Sequence, residues 1–151
     1  MNRYKNEHYK SAVQFYNSTS QPIVATDTIT TPVILSLGSR VTDTGCAIDF
    51  NSLDIDMEAS GLYRISATLD VLGVTGGDVS FAIALNGQIL PETLNTITAV
   101  AGISELISFE TIRLVNICCA NNDFNFSIVA FSDGTGAATV EKLSGNAVKL
   151  A

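Results

Sequence analysis

The chain is poor in the side chains that do most chemistry. Its 151 residues hold one His, three Cys and no Trp. His8 stands beside Tyr9, with no nucleophile or acid placed to work with it, and a general base needs such a partner. No Gly-x-Ser-x-Gly elbow, phosphate loop or dinucleotide fingerprint occurs. Zinc would need a Cys-x-x-Cys pair or a second His, and the chain has neither. No enzymatic activity, cofactor or metal is therefore expected. Cys46, Cys118 and Cys119 are odd in number, and two are neighbours. They read as reduced thiols that serve as small apolar fillers.

Positive charge is also scarce. Eight Lys and Arg face fifteen Asp and Glu, for a net charge of -7. A nucleic-acid partner, which demands a basic face, is thereby excluded. Long apolar runs are missing too. The best candidate, Val100 to Cys119, is broken by Glu105, Glu110 and Arg113, short of the ~20 apolar residues of a membrane helix. Asn6, Glu7, His8 and Lys10 interrupt any signal-peptide core. The expectation is synthesis in the cytosol and no membrane partner.

What remains is a folding sequence. Hydrophobic residues make up 46% and charged residues 15%, the balance of one globular domain with a sizeable core. Charge is uneven along it. The first ten positions carry Arg3, Lys5 and Lys10 against Glu7, while the rest holds five bases and fourteen acids. Aromatics mixed with cations suit a protein anchor. Residues 1–16 are thus expected to form an N-terminal arm, and 17–151 the folded domain. Arg3, Tyr4, Lys5, Tyr9, Lys10, Phe15 and Tyr16 are the candidate docking residues toward an acidic partner. The competing readings are an arm frayed in solution or one folded back on the domain.

Period two dominates from about residue 53. Leu53, Ile55 and Met57 alternate with Asp54, Asp56 and Glu58; Tyr63, Ile65, Ala67, Leu69 and Val71 alternate with Arg64, Ser66, Thr68 and Asp70. Half-buried strands read this way. Val79, Phe81, Ile83 and Leu85 continue the pattern, with small Ser80, Ala82 and Ala84 between them, so the outer face of that strand is expected to be covered as well. Asn86-Gly87 signals a tight hairpin. Leu106 to Cys119 is apolar without clean alternation, one or two strands of undefined register. Phe124 to Ile128, Ala138 to Leu143 and Ala147 to Leu150 follow as strand candidates. Ala12 to Tyr16, Ile23 to Thr28 and Val33 to Leu37 precede. About eight to ten antiparallel strands and no convincing helix imply an all-β sandwich or jelly roll.

Three landmarks then fall in order: Gly61-Leu62-Tyr63-Arg64-Ile65, Asn86-Gly87, and Thr139-Val140-Glu141-Lys142-Leu143-Ser144. Over about residues 20–150 the chain resembles the C1q/TNF-like jelly rolls. Its nearest resemblance is to bacterial and phage members such as the C-terminal domain of collagen-like spore-surface proteins. A collagen-like Gly-X-Y stalk is missing. A small domain with a short arm resembles the head-decoration or head-fibre proteins of tailed phages and prophages. The resemblance implies a homotrimer with one sheet of each protomer packed about a threefold axis. Tyr63, Phe124, Phe126 and Val140 are the candidate trimer-interface residues, against the reading that they fill the sandwich interior. The low charge agrees with an obligate interface.

Function then reads as a non-enzymatic virion component, made in a bacterial cytoplasm and docked on a capsid or other virion protein through residues 1–16. The alternative is an adhesin or lectin-like domain on a bacterial or spore surface that recognises glycan or a receptor. Two constellations stand apart. Asp54, Asp56 and Glu58 share one strand face and compete as a Ca2+ site against a solvated face. Asp133-Gly134-Thr135-Gly136 competes as an anion or metal loop against a plain turn.

Overall fold

Alternation decides which side of each strand is apolar, and two such sheets bury those sides against each other. A computed structural model describes residues 11–117 and 124–151. Its strands are β1 (Ala12–Asn17), β2 (Gln21–Ile23), β3 (Val33–Ile34), β4 (Ser39–Thr44), β5 (Ile48–Phe50), β6 (Ile55–Met57), β7 (Gly61–Thr75), β8 (Gly77–Leu85), β9 (Gln88–Ile89), β10 (Asn95–Ala99), β11 (Ser104–Val115), β12 (Asn125–Ser132) and β13 (Ala137–Lys149). Five of these thirteen are only two or three residues long. The eight longer ones agree with the expected count. One 3-10 turn, Pro91–Thr93, is the sole helical element among the described residues.

One sheet runs β11-β7-β13-β1-β4, with β2 beside β13; the other runs β10-β8-β12-β6-β5, with β3 beside β12 and β9 beside β8. All pairings are antiparallel. The chain changes sheet repeatedly, among other places between β7 and β8, β10 and β11, and β12 and β13. At the first and last of these crossings Gly77 and Gly136 meet backbone to backbone. A Cβ on Gly77, whose φ is +143°, would lie 2.3 Å from Gly136 N. Only glycine permits that approach.

Tyr63, Ile65, Leu69 and Val71 of β7, with Val79, Phe81 and Ile83 of β8, are at most 2% exposed and meet in one core cluster. The gap left between the sheets by Phe15, Leu37, Ile55, Ile65, Ile83 and Phe126 is about 10 Å3, too small for more than one water. The outer face of β8 is covered as expected: Ala82 and Ala84 are fully buried beside Val129, with Ile89 packed on them. Asn86 and Gly87 adopt φ of +51° and +82°, the two positive values a primed hairpin turn requires.

Two expectations are corrected. Residues 12–16 do not belong to an arm. β1 lies between β13 and β4, and Val13 and Phe15 are 1% exposed in the core. The domain therefore begins before residue 17, because the sheet needs β1 to join β4 to β13. The anticipated break between Ala138–Leu143 and Ala147–Leu150 is also replaced by one strand, β13, with a bulge between Val140 and Lys142.

Candidate functional site

Tyr63, Phe126 and Val140 are 0%, 1% and 0% exposed in the isolated protomer. A side chain with no accessible surface has none to lose to a sister subunit, so these three pack the interior and do not form an interface. Phe124 is half-buried against the same core. The Tyr63 hydroxyl donates to Ala59 O at 2.7 Å, and burial pushes its pKa up to about 12.

The surface suited to assembly is the outer face of the β11-β7-β13-β1 sheet. It is read most easily from the cross-strand rows. At one end Leu114 of β11 pairs with Leu62 of β7, and Leu150 N donates to Leu62 O. The next outward row is Ile112, Arg64, Val148 and Ala12. Two polar rows follow: Glu110, Ser66, Asn146 and Gln14, then Ser108, Thr68, Ser144 and, at the β1 end, Tyr16. Leu106 then pairs with Asp70, and Asp70 with Lys142. Leu106, Ile112 and Leu114 are 73%, 52% and 73% exposed. Ile112 and Leu114 stand together on this face, and Leu106 stands apart from them beyond Ser108 and Glu110.

Hydroxyls knit the middle of this face. Thr68 and Ser108 lie 3.1 Å apart, and Ser66 Oγ donates to Asn146 Oδ1 at 3.1 Å. A shallow depression of about 410 Å3 opens there, lined by Ser66, Thr68, Ser108 and Glu110. Arg64 lies in the adjoining row, and its Nε is buried without a hydrogen-bond partner.

The other candidates resolve as follows. Phe15 is a core residue stacked on Phe50 at 5.8 Å between centroids, which removes it from docking. Tyr16, the next residue, points outward and is 41% exposed. Arg3, Tyr4, Lys5, His8, Tyr9 and Lys10 lie outside the described residues, as do Cys118 and Cys119. Cys46 is exposed, against the expectation of an apolar filler.

The acidic constellation is rearranged. Asp54 occupies the turn before β6, its N–H donating to Asn51 O. Asp56 and Glu58 instead meet Asp49, which sits opposite Asp56 in register, with ligand oxygens within 4.8 Å of one another. The pairing of β5 with β6 is what brings Asp49 in, and only that register would have revealed it. Asn125 Nδ2 donates to Asp56 Oδ1 at 2.8 Å, and the trio is otherwise a solvated face. At the other turn, Asp133 Oδ1 accepts from Thr135 N, Thr135 Oγ and Gly136 N at 2.8–3.0 Å, and Oδ2 accepts from Asp78 N at 3.1 Å. These donors, Gly136 N–H foremost, hold the carboxyl well below its usual range. Asp133 is committed to its own turn.

The strand order, the repeated crossings between the two sheets and the filled interior together define the architecture, and solved structures share it. The "PRD1 vertex protein P5" matches with a TM-score of 0.61 and 22% identity, over 93% of this chain and 73% of that one. The fold is the C1q/TNF-like jelly roll. The globular domain of a zebrafish complement 1qA protein matches at TM-score 0.57 and 8% identity, over 91% of this chain and 95% of that one. Murine APRIL matches at 0.59 and 9%, over 92% and 98%. Identities this low establish fold alone. No protein-family model matches the chain, and no curated protein matches it. No helix of the described residues is long and apolar enough to cross a membrane.

Proposed function

We propose that this jelly roll is a non-enzymatic structural protein: a homotrimeric component of a phage or prophage virion, of the head-decoration or head-fibre kind. The observation that carries the reading is the outward row of Leu106, Ile112 and Leu114 on β11. Water contact with that strip is unfavourable by about 25 cal/mol per Å2, and a second and third copy would remove it. The fold shared with a vertex protein supports the virion setting. The filled sandwich interior leaves a ligand only the outer surfaces. Within this reading the basic segment with Arg3, Lys5 and Lys10 docks the trimer on an acidic virion partner.

Light scattering on the purified chain tests the assembly. The expected mass is three times the 16.0 kDa protomer. A single-chain mass at micromolar concentration overturns it. Deleting residues 1–10 should abolish incorporation into particles and leave the number of chains per oligomer unchanged. Undiminished incorporation rejects the docking role. Reproducible binding on a glycan array would transfer the protein to the lectin-like class.

A further inference from the structure

The far end of the sandwich, where β7 passes into β8 and β10 into β11, is apolar at its tip and acidic at its rim. Gly102 N donates to Gly73 O and Gly73 N donates to Ile103 O, both at 2.9 Å, which seats the turn from Val100 to Ile103 on the end of β7. That turn, Val100-Ala101-Gly102-Ile103, holds no polar side chain, although turns ordinarily draw on Asn, Asp and Ser as well as Gly. Beside it Val74 is skipped in the pairing of β7 with β13: Ala137 matches Thr75 and Ala138 matches Gly73. A bulge of this kind re-aims a side chain. Val74, Val100 and Ile103 are 50%, 54% and 55% exposed. Asp78, Glu105 and Asp133 stand exposed around them, with Asp133 N donating to Asp78 O at 3.0 Å. No Lys or Arg occurs in residues 65–112 or 114–141, the segments that build this end.

The near end carries the opposite chemistry. Ser11 O accepts from Lys149 N, so the chain enters β1 beside the last residues of β13. Residues 1–10 lead into it and hold Arg3, Lys5 and Lys10 against Glu7, with Tyr4 and Tyr9 between them. A cationic segment with aromatic side chains complements an apolar tip rimmed by carboxylates. Reach decides whether the two meet within one copy. Ala12 shares a row with Val148 and Arg64, and β7 rises about 33 Å from Arg64 to Val74. Ten residues span about 33–36 Å only when fully extended. The segment therefore falls short of its own far end in any bent conformation. A copy stacked end to end presents the same tip directly beside Ser11. Contact between unlike ends is heterologous, and where no rotation closes it, it adds copies in a row.

Resting on the reading of residues 1–10 as a docking segment, we infer that the acidic partner of this segment is the far end of another copy. Its tyrosines pack on Val74, Val100 and Ile103, and its cations face the charge of Asp78, Glu105 and Asp133. The product is an end-to-end stack.

Cross-linking in the full-length chain tests the contact. Tyr4 is replaced with photoreactive p-benzoylphenylalanine, and unlabelled and heavy-isotope protein are mixed in equal amounts and irradiated. Cross-links should map to Val74 or to residues 100–103 and should join light to heavy chains as often as like to like. Cross-links that map elsewhere, or that never join light to heavy, overturn the inference. Independently, light scattering at rising concentration should show mass growing beyond the starting oligomer. That growth should weaken roughly tenfold between about 0.1 M and about 1 M salt, as screening shortens from about 10 Å to about 3 Å. Val100→Asn with Ile103→Asn should weaken it by roughly as much. Both side chains are more than half exposed, so the fold should hold. No growth, or growth that the double variant leaves unchanged, also overturns the inference. Particle incorporation separates the two readings. If deleting residues 1–10 abolishes incorporation while the double variant incorporates normally and no cross-link reaches the far end, the docking reading stands and this partner falls. If the deletion alters neither incorporation nor growth, both fall.

Discussion

Replacing Phe15 with Ala asks whether β1 is part of the fold or an appendage. Phe15 is 1% exposed, stacks on Phe50 and lies in the central core cluster. Truncating such a side chain costs about 3–5 kcal/mol, the lost transfer energy plus the cavity. Against a total stability of about 5–15 kcal/mol that is a large share. With a urea slope of roughly 2 kcal/mol per molar, the unfolding midpoint should fall by about 2 M at fixed protein concentration. The site also supplies a coupled test. A Cβ on Gly145 would sit 2.6 Å from Phe15 Cζ and 2.5 Å from Ser66 O, so Gly145→Ala should cost about 1–3 kcal/mol by overpacking. With Phe15 truncated, half of that clash disappears, and the double variant should lose less than the two singles together. A Phe15→Ala loss below about 1 kcal/mol, with strict additivity, would mean that residues 12–16 hang outside the core and that the domain does start at residue 17.

Other perturbations separate the remaining roles. Leu106→Glu and Leu114→Glu should each lower the solution mass toward one chain while the far-ultraviolet spectrum holds, since side chains 73% exposed in the protomer support little of its own fold. Asp133 has its folded pKa depressed, so its contribution is present above the unfolded value near pH 4 and lost as the pH falls below it. Thermal melts should show an acid-side decline that Asp133→Asn reduces. Tyr63 has the opposite sign: its folded pKa, pushed up to about 12, favours the native state below pH 10, and that contribution disappears as the pH climbs from 10 to 12. Phenolate absorbance should show one tyrosine ionising together with unfolding, and Tyr63→Phe should delete that transition at a cost of about 1 kcal/mol from the orphaned Ala59 carbonyl.

The long alternating strands were legible because burial on one face imposes a two-residue period, as in β7, and because Asn86-Gly87 can hardly be anything but a primed turn. β4 was not, since all six of its residues are exposed at the sheet edge and no buried face imprints a pattern. Period two also states that a strand has two faces without stating which neighbour covers each. That is why Tyr63, Phe126 and Val140 were placed on a threefold axis when they line the interior. The better signal lay in β11. There Leu106, Ile112 and Leu114 interrupt the polar face of a strand whose other face, Ile107, Phe109 and Val115, is already core. Apolar residues on both faces mark a strand meant to be covered twice. The acidic trio was half readable: Asp56 and Glu58 are local, but Asp49 arrives through a hairpin register that composition does not encode.

The pairing of the first strand with the last also sets how the protein bears load. Ala12 lies opposite Val148, and Ser11 O accepts from Lys149 N at 2.9 Å, so the two ends of the folded chain leave side by side from one pole. Tension applied across both ends would open the β1–β13 ladder one rung at a time, the weak direction for a sheet. Within the trimer proposed above, a pull on the leading end alone, reacted by sister copies gripping the sheet face, would instead spread over many contacts. A tether at that single end would then give the jelly roll its strong axis.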